Sequence, residues 1–154
     1  MATTTATITI NSSDISDNTI SISNTATLTK AGSVTGLDKT SGLRRRIFTA
    51  TTIKDLINLD NFVEETTITS SKSAKVYIKN IGTSTTEHVK VGIGNVAAGD
   101  SNDVEEIGRL YGGDWMFFPY NAAITGTGNT ANEDVYVIPS SSDSVTLEWL
   151  VVYE

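Results

Sequence analysis

The chain has 154 residues, a net charge of −7 and no cysteine. Its length favours a single domain, the missing cysteine excludes disulfides and cysteine-based zinc sites, and the acidic balance argues against a nucleic-acid partner. Thr and Ser make up about a quarter of the residues, and β-branched Thr suits strands better than helices. The composition therefore predicts an all-β fold.

Residues 1–42 alternate small polar residues with isoleucine or leucine. In "TATITI" and "TISIS", Ile8 and Ile10 share one strand face, and Ile20 and Ile22 share another. Each strand buries about two large side chains, which barely offsets the entropy lost on ordering its backbone. We therefore predict that this segment is an extended arm, ending in a glycine-containing linker, that is ordered chiefly by lying on another surface.

The first ten residues contain neither a basic stretch nor the continuous apolar segment that a signal peptide requires. No part of the sequence approaches the run of about 18 apolar residues that forms a membrane-spanning helix. We expect a protein that is made in the cytoplasm and has no membrane partner.

The only basic run lies at the start of the predicted domain, residues 43–154. One interpretation is that Arg44, Arg45 and Arg46 are solvated or ion-paired at the start of a strand. The other is that they contact an acidic partner surface, because the guanidinium group matches carboxylates. On that second interpretation, the apolar residues of the arm dock on the same partner as added strands. These residues are Ile8, Ile10, Ile15, Ile20, Ile22 and Leu28.

Several later stretches have the periodicity of strands. Thr51–Glu65 fits either a short helix or a strand followed by a loop. Ala74–Asn80 and Glu87–Gly94 alternate apolar and polar residues, and the turn residues between them predict a hairpin. Asp134–Pro139 is apolar on both faces and stops at a proline. The C-terminal stretch has one unbroken apolar face, formed by Val145, Leu147, Trp149, Val151 and Tyr153. Together these strands predict a β-sandwich or jelly-roll-like domain.

The stretch Tyr111–Tyr120, "YGGDWMFFPY", holds a glycine turn followed by four large apolar residues. Because Trp115 and Phe117 alternate with two further apolar residues, both faces of the strand are apolar. An aromatic platform for a ligand has polar residues around it, and none alternates here. We therefore predict a core strand that is covered on both faces, one of them by a subunit contact, and that ends at Pro119.

No residue is predicted to be catalytic, to bind a cofactor or to bind a metal. His88 is the single histidine, and its position beside an apolar strand face predicts an exposed side chain. The acidic stretch 99–106 departs from an EF-hand, because Val104 and Glu105 stand where such a loop has an oxygen ligand and a glycine. We expect a solvated loop there.

From Ala74 onward, the order of motifs resembles small virion structural proteins of tailed bacteriophages, of the capsid decoration or cement type. The motifs concerned are Val76–Asn80, Val89–Gly94, Gly113–Pro119 and Val145–Glu154. The resemblance implies a protein without enzymatic activity on the outer surface of a phage capsid. It also implies that the protein binds the major capsid protein, links neighbouring subunits of the shell and forms a homo-oligomer, with a homotrimer favoured.

The same motifs leave one alternative function open. Similar patterns occur in phage fibres and in proteins associated with tails, so the chain could instead be a head-fibre or tail-associated adhesin that binds a receptor. An exposed aromatic residue would favour that alternative, whereas two buried tryptophans would favour the decoration protein.

Overall fold

The computed structural model describes residues 3–14, 19–49, 51–57, 73–94, 104–120, 134–141 and 144–154. Those residues form strands and connecting turns, and they contain no helix, which confirms the all-β class. The strands are β1 (Thr5–Ser12), β2 (Ile20–Thr27), β3 (Lys39–Thr40), β4 (Arg44–Phe48), β5 (Lys54–Ile57), β6 (Ala74–Asn80), β7 (His88–Gly94), β8 (Val104–Tyr111), β9 (Trp115–Tyr120), β10 (Asp134–Pro139) and β11 (Val145–Tyr153).

Nine of these strands form two antiparallel sheets. The first has the order β4-β11-β6-β9, with β3 on the same side of β11 as β4, and the second has the order β5-β10-β7-β8. Apart from the β7–β8 hairpin, every connection from β4 to β11 crosses from one sheet to the other. Eight strands connected in this order are a jelly roll.

The inner faces of the two sheets share one hydrophobic core. Val76 and Ile78 on β6 and Val89 and Val91 on β7 are fully buried in a single cluster. The predicted apolar face of the C-terminal strand is confirmed, since all five of its residues are buried. Each sheet thus has one face buried against the other sheet, as in other sandwiches.

Strand β10 is also confirmed as a strand covered on both faces. It lies between β5 and β7, and five of its six residues are buried. Within Thr51–Glu65, the structure has a strand at Lys54–Ile57, which fits the strand alternative. Residues 58–65 lie outside the described residues.

The predicted hairpin between residues 74–80 and 87–94 is wrong. Both stretches are strands, but β6 pairs with β11 and β9, whereas β7 pairs with β10 and β8. Turn residues mark where a strand ends, but they do not decide whether the next strand pairs with it or crosses to the facing sheet. Here the loop between β6 and β7 is bonded to the turn between β8 and β9, since the amide of Gly112 donates to the carbonyl oxygen of Ser84 at 2.9 Å.

The end of the predicted arm lies on the outer face of the first sheet. Leu37 is fully buried in a cluster with Leu28 and Val152. Strand β3 pairs with the C-terminal end of β11, in line with β4, which pairs with the same edge. Between them, the hydroxyl of Ser41 accepts a hydrogen bond from the amide of Val151 at 3.0 Å. This segment therefore adds to the sheet instead of only connecting the arm to it.

Candidate partner-binding surface

Strands β1 and β2 form a separate two-stranded antiparallel hairpin. Ile10 lies directly opposite Ile22, while Ile8 lies opposite Asn24 and Ile20 opposite Ser12. Since side chains alternate between the faces of a strand, all four isoleucines project from the same side. We call these four residues the Ile face. The sequence placed them in two pairs on separate strands, and the register unites the pairs.

The Ile face is open to solvent over most of its length. Ile8 is 38% exposed, and Ile10 and Ile22 are each 53% exposed, whereas Ile20 is half-buried. Large apolar side chains are usually buried, so adjacent exposed ones mark a surface that another molecule covers. The face has the chemical character of an interface.

The opposite side of the hairpin carries hydroxyl and amide groups, and we call it the hydroxyl face. The hydroxyls of Thr7 and Thr25 lie 2.8 Å apart, and the hydroxyl of Ser21 donates to the side chain of Asn11 at 2.9 Å. These side chains bond to one another across the two strands, which stabilises the ribbon as cross-strand pairs do. The hairpin is therefore amphipathic.

One end of the hairpin is attached to the sandwich. Ala6 packs against the cluster of Leu28, Leu37 and Val152, and the amide of Leu28 donates to the carbonyl oxygen of Thr4 at 2.8 Å. The predicted docking role of Leu28 is therefore wrong, because its side chain is only 6% exposed within its own chain. Ile15 lies outside the described residues.

A groove of about 340 Å³ runs between the attached end of the hairpin and the outer face of the first sheet. Its lining joins the Ile face to an aromatic surface and consists of Ala6, Thr7, Ile8, Tyr77, Lys79, Trp115 and Phe117. Desolvation, together with the charge of Glu148, raises the pKa of Tyr77. The groove thus continues the apolar surface of the hairpin onto the sandwich.

The prediction that Tyr111–Tyr120 is covered on both faces is wrong for Trp115 within the single chain, where this residue is 50% exposed, and a subunit contact on that face stays a prediction. Strand β9 lies at the edge of its sheet and pairs only with β6 among the described strands. Met116 and Phe118 pack against the core. Trp115 lies opposite Lys79 on the outer face. The polar residue beside Trp115 is therefore on the adjacent strand, and the sequence of β9 alone could not predict it.

The strand does not end at Pro119 but continues to Tyr120, as a proline on an edge strand permits.

The three arginines do not form one cluster, because strand alternation places Arg45 on the opposite side from Arg44 and Arg46. Arg45 binds Glu148, with Nε donating to Oε2 at 2.7 Å. The guanidinium carbon of Arg46 lies 5.1 Å from the centre of the Phe48 ring. Arg45 is therefore ion-paired at a strand start, as the first interpretation holds, and its contact with a partner stays a prediction.

The hairpin carries no protection of its edges within the described residues. Strands β1 and β2 pair with each other and with no other described strand. Residues 3–12 and 19–27 contain no charged residue and no proline. Charged residues, prolines and bulges are the usual devices that prevent a free edge from pairing with another chain. Both edges are therefore suited to strand addition.

The other candidate sites are occupied by ordinary contacts. The ring of His88 lies 5.1 Å from that of Tyr111. Glu106 accepts a hydrogen bond from Nε of Arg109 at 2.8 Å and pairs with Lys90 at 3.3 Å, and both contacts hold the pKa of its carboxyl below the usual value. Most of the acidic stretch, residues 99–103, lies outside the described residues. Within the described part of the chain, no group of three or more acidic or histidine side chains is placed to hold a metal ion.

The sequence matches no protein-family model and no curated protein. Where the structure describes the chain, it contains no helix of the length and apolarity needed to cross a membrane.

Proposed function

We propose that this chain is a capsid decoration or cement protein of a tailed bacteriophage. In this role it binds the major capsid protein on the outer surface of the phage head and stabilises the shell by linking neighbouring subunits. It has no enzymatic activity. The observation that carries the proposal is the hairpin, an amphipathic ribbon on a jelly roll that has an exposed Ile face and two edges that pair with no other described strand. The resemblance of residues 74–154 to phage head proteins supports the same role.

Attachment to the shell takes place by strand addition at the hairpin edges. The outward-facing amides and carbonyls of β1 and β2 have no strand partner among the described residues, and pairing with a strand of the capsid protein satisfies them. Main-chain hydrogen bonds supply the affinity in this mode of recognition, and side chains at alternate positions supply the specificity. Several hairpins in one oligomer would bind with avidity.

Arg45 adds a charge-assisted contact to this attachment. Its side chain is 64% exposed although it pairs with Glu148, so part of the guanidinium group remains open to an acidic partner. Glu148 is only 12% exposed and would be costly to leave unpaired, so Arg45 keeps this pair and offers its remaining N–H groups to a partner carboxylate.

A second candidate function is favoured by the exposure of Trp115. A half-exposed tryptophan beside Lys79 in a groove is the arrangement that an adhesin uses to bind a receptor, since tryptophan offers an apolar ring face with polar groups around it. In this alternative, the protein belongs to a head fibre or the tail.

The two functions are separated by co-sedimentation of the full chain with capsids of the phage that encodes it, counted against the major capsid protein. The decoration protein binds in a fixed ratio to that subunit. Arg45→Ala weakens binding and makes it less sensitive to salt, because one charged contact is removed. Arg109→Ala is the matched control, since Arg109 is also exposed and ion-paired but lies on the second sheet. Failure of the full chain to bind capsids, together with binding to host cells that Trp115→Ala abolishes, would favour the adhesin.

A further inference from the structure

The Ile face has an internal two-fold symmetry. In an antiparallel pair, a local two-fold axis perpendicular to the ribbon passes between directly opposed residues, here Ile10 and Ile22. This axis brings Ile8 onto the position of Ile20, and Ser12 onto that of Asn24. Each exchange replaces an isoleucine by an isoleucine, or a small polar residue by another.

The sequence contains the origin of this symmetry as a six-residue motif that occurs twice, at a spacing of twelve residues. "TITINS" at residues 7–12 corresponds to "TISISN" at residues 19–24. The repeat becomes meaningful only with the register, which pairs the two copies antiparallel around the Ile10–Ile22 centre. The apolar centre and its polar corners are therefore built twice from one pattern.

The electrostatics of the chain favour contact between copies at this place. The whole chain has a net charge of −7, so two copies repel each other over most of their surfaces. The paired strands of the hairpin, Thr5–Ser12 and Ile20–Thr27, carry no charge, and Asp14 is the described charged residue beyond the end of β1. Two Ile faces can therefore meet without bringing like charges of the strands together.

We infer that the Ile face is a self-association surface, which packs against the Ile face of a second copy of this chain. An isologous contact requires a patch that is complementary to itself. The Ile face meets that condition in either of two orientations related by its local axis, because apolar residues then meet apolar residues in both. Contact with a different protein would give no reason for the Ile face to have this symmetry.

Self-association also explains how the ribbon remains ordered. An isolated two-stranded hairpin is marginally stable in water, and among the described residues the contacts that attach this one to the sandwich lie at its Ala6 end. Packing two Ile faces buries the three isoleucines that are exposed in the single chain. The outer edges of both ribbons stay free for strand addition, so the inference is compatible with the proposed function and does not depend on it.

The test compares the full chain with Ile10→Thr/Ile22→Thr by light scattering over a range of concentrations, up to about 100 μM. Threonine keeps the β-branched shape that suits a strand while removing the apolar surface. Because an isologous contact joins copies in pairs, the unchanged chain is expected to have a molar mass that is an even multiple of 16.4 kDa. The variant is expected to dissociate at least about tenfold more readily. The control is Thr9→Ala/Ser23→Ala, which changes the adjacent opposed pair on the hydroxyl face and leaves association unchanged.

A second measurement covers the case in which the threonine variant loses its hairpin. The chain has no cysteine, so Ile10→Cys introduces a single thiol on the Ile face and Thr9→Cys one on the hydroxyl face. A short bis-maleimide should link two copies of the Ile10→Cys chain much faster than two copies of the Thr9→Cys chain. The inference is overturned by a strictly monomeric unchanged chain, by association that persists in Ile10→Thr/Ile22→Thr, or by equal cross-linking of the two cysteine variants. Capsid binding is measured separately, so its loss or retention does not bear on this result.

Discussion

The side-chain amide of Asn80 donates a hydrogen bond to the carbonyl oxygen of Leu110 at 3.1 Å, and so joins the end of β6 to β8 in the facing sheet. The same side chain accepts a hydrogen bond from the amide of Gly82 at 2.9 Å. Asn80 is only 2% exposed. A buried polar residue at the end of one sheet that bonds to a strand of the other sheet, and to the loop that follows it, fixes how the two sheets meet at this end.

Asn80→Ala is expected to destabilise the protein by about 2–3 kcal/mol, because it leaves buried backbone groups without partners. The measurement is the free energy of unfolding in urea. Thr85→Ala in the same loop is the control, since Thr85 is exposed. A loss below about 0.5 kcal/mol, the size of an ordinary surface substitution, would contradict the role given to Asn80.

Gly92 lies on β7, directly opposite Tyr136 of β10 on one side and Glu106 of β8 on the other. A Cβ at this position would overlap the hydroxyl of Tyr136 and the carbonyl oxygen of Glu105, so Gly92→Ala should cost about 1–3 kcal/mol of stability as an overpacking change. The matched control is Gly108→Ala on the adjacent strand, where a Cβ would meet only the methyl carbon of Met116 at an ordinary 3.6 Å. Equal unfolding free energies for the two variants would refute the prediction.

Periodicity was sufficient to predict the strands that are buried on at least one face. The alternation at Val145–Tyr153 and the two-sided apolar pattern at Asp134–Pro139 both correspond to central strands. Their side chains are buried by neighbours on both sides, so local pattern and environment agree. The all-β class followed from the same patterns.

Pairing between strands could not be predicted in the same way. The exposure of Trp115 depends on β9 being an edge strand, and the uniting of Ile10 with Ile22 depends on the β1–β2 register. Both are relations between different segments of the chain, which the pattern within one segment does not contain. The six-residue motif that occurs at residues 7–12 and again at 19–24 is the sequence signal for the symmetry of the Ile face.

The two tryptophans are expected to differ in fluorescence, because Trp115 is 50% exposed and Trp149 is 7% exposed. Trp115 should emit at longer wavelength and be quenched readily by acrylamide. Trp115→Phe should therefore leave a blue-shifted, weakly quenched emission. If the emission of Trp115→Phe is quenched as readily as that of the unchanged protein, Trp115 is covered in solution.

The alkaline stability of the protein should depend on Tyr136. Its burial, with the charges of Glu106 and Glu105, raises the pKa of its phenol. Because the folded pKa lies above the unfolded one, the stabilising contribution is fully present below the unfolded pKa of about 10 and is lost as pH rises through the folded value. Tyr136→Phe should remove one late-titrating phenol from the absorbance titration and reduce the loss of stability above about pH 10. A titration curve with an unchanged late phase would contradict this.

Removal of the N-terminal segment should have two distinct effects, depending on where the chain is cut. A chain lacking residues 1–27 loses the hairpin but keeps Leu28, Leu37 and strand β3. It should still unfold cooperatively. A chain lacking residues 1–42 also loses the fully buried Leu37 and the pairing of β3 with β11. Its free energy of unfolding should be lower than that of the chain lacking residues 1–27 by about 2–5 kcal/mol or more, which is the cost of removing one buried leucine side chain.

Urea unfolding of both shortened chains measures this difference, and Leu37→Ala in the full chain is the control for the buried leucine alone. The shorter deletion is the one that tests attachment, because it removes the hairpin edges while keeping the outer layer of the sandwich. It should abolish binding to capsids with little change in the folded domain. Binding equal to that of the full chain would place the attachment site on the jelly roll itself, and equal stabilities of the two shortened chains would show that residues 28–42 contribute nothing to the sheet.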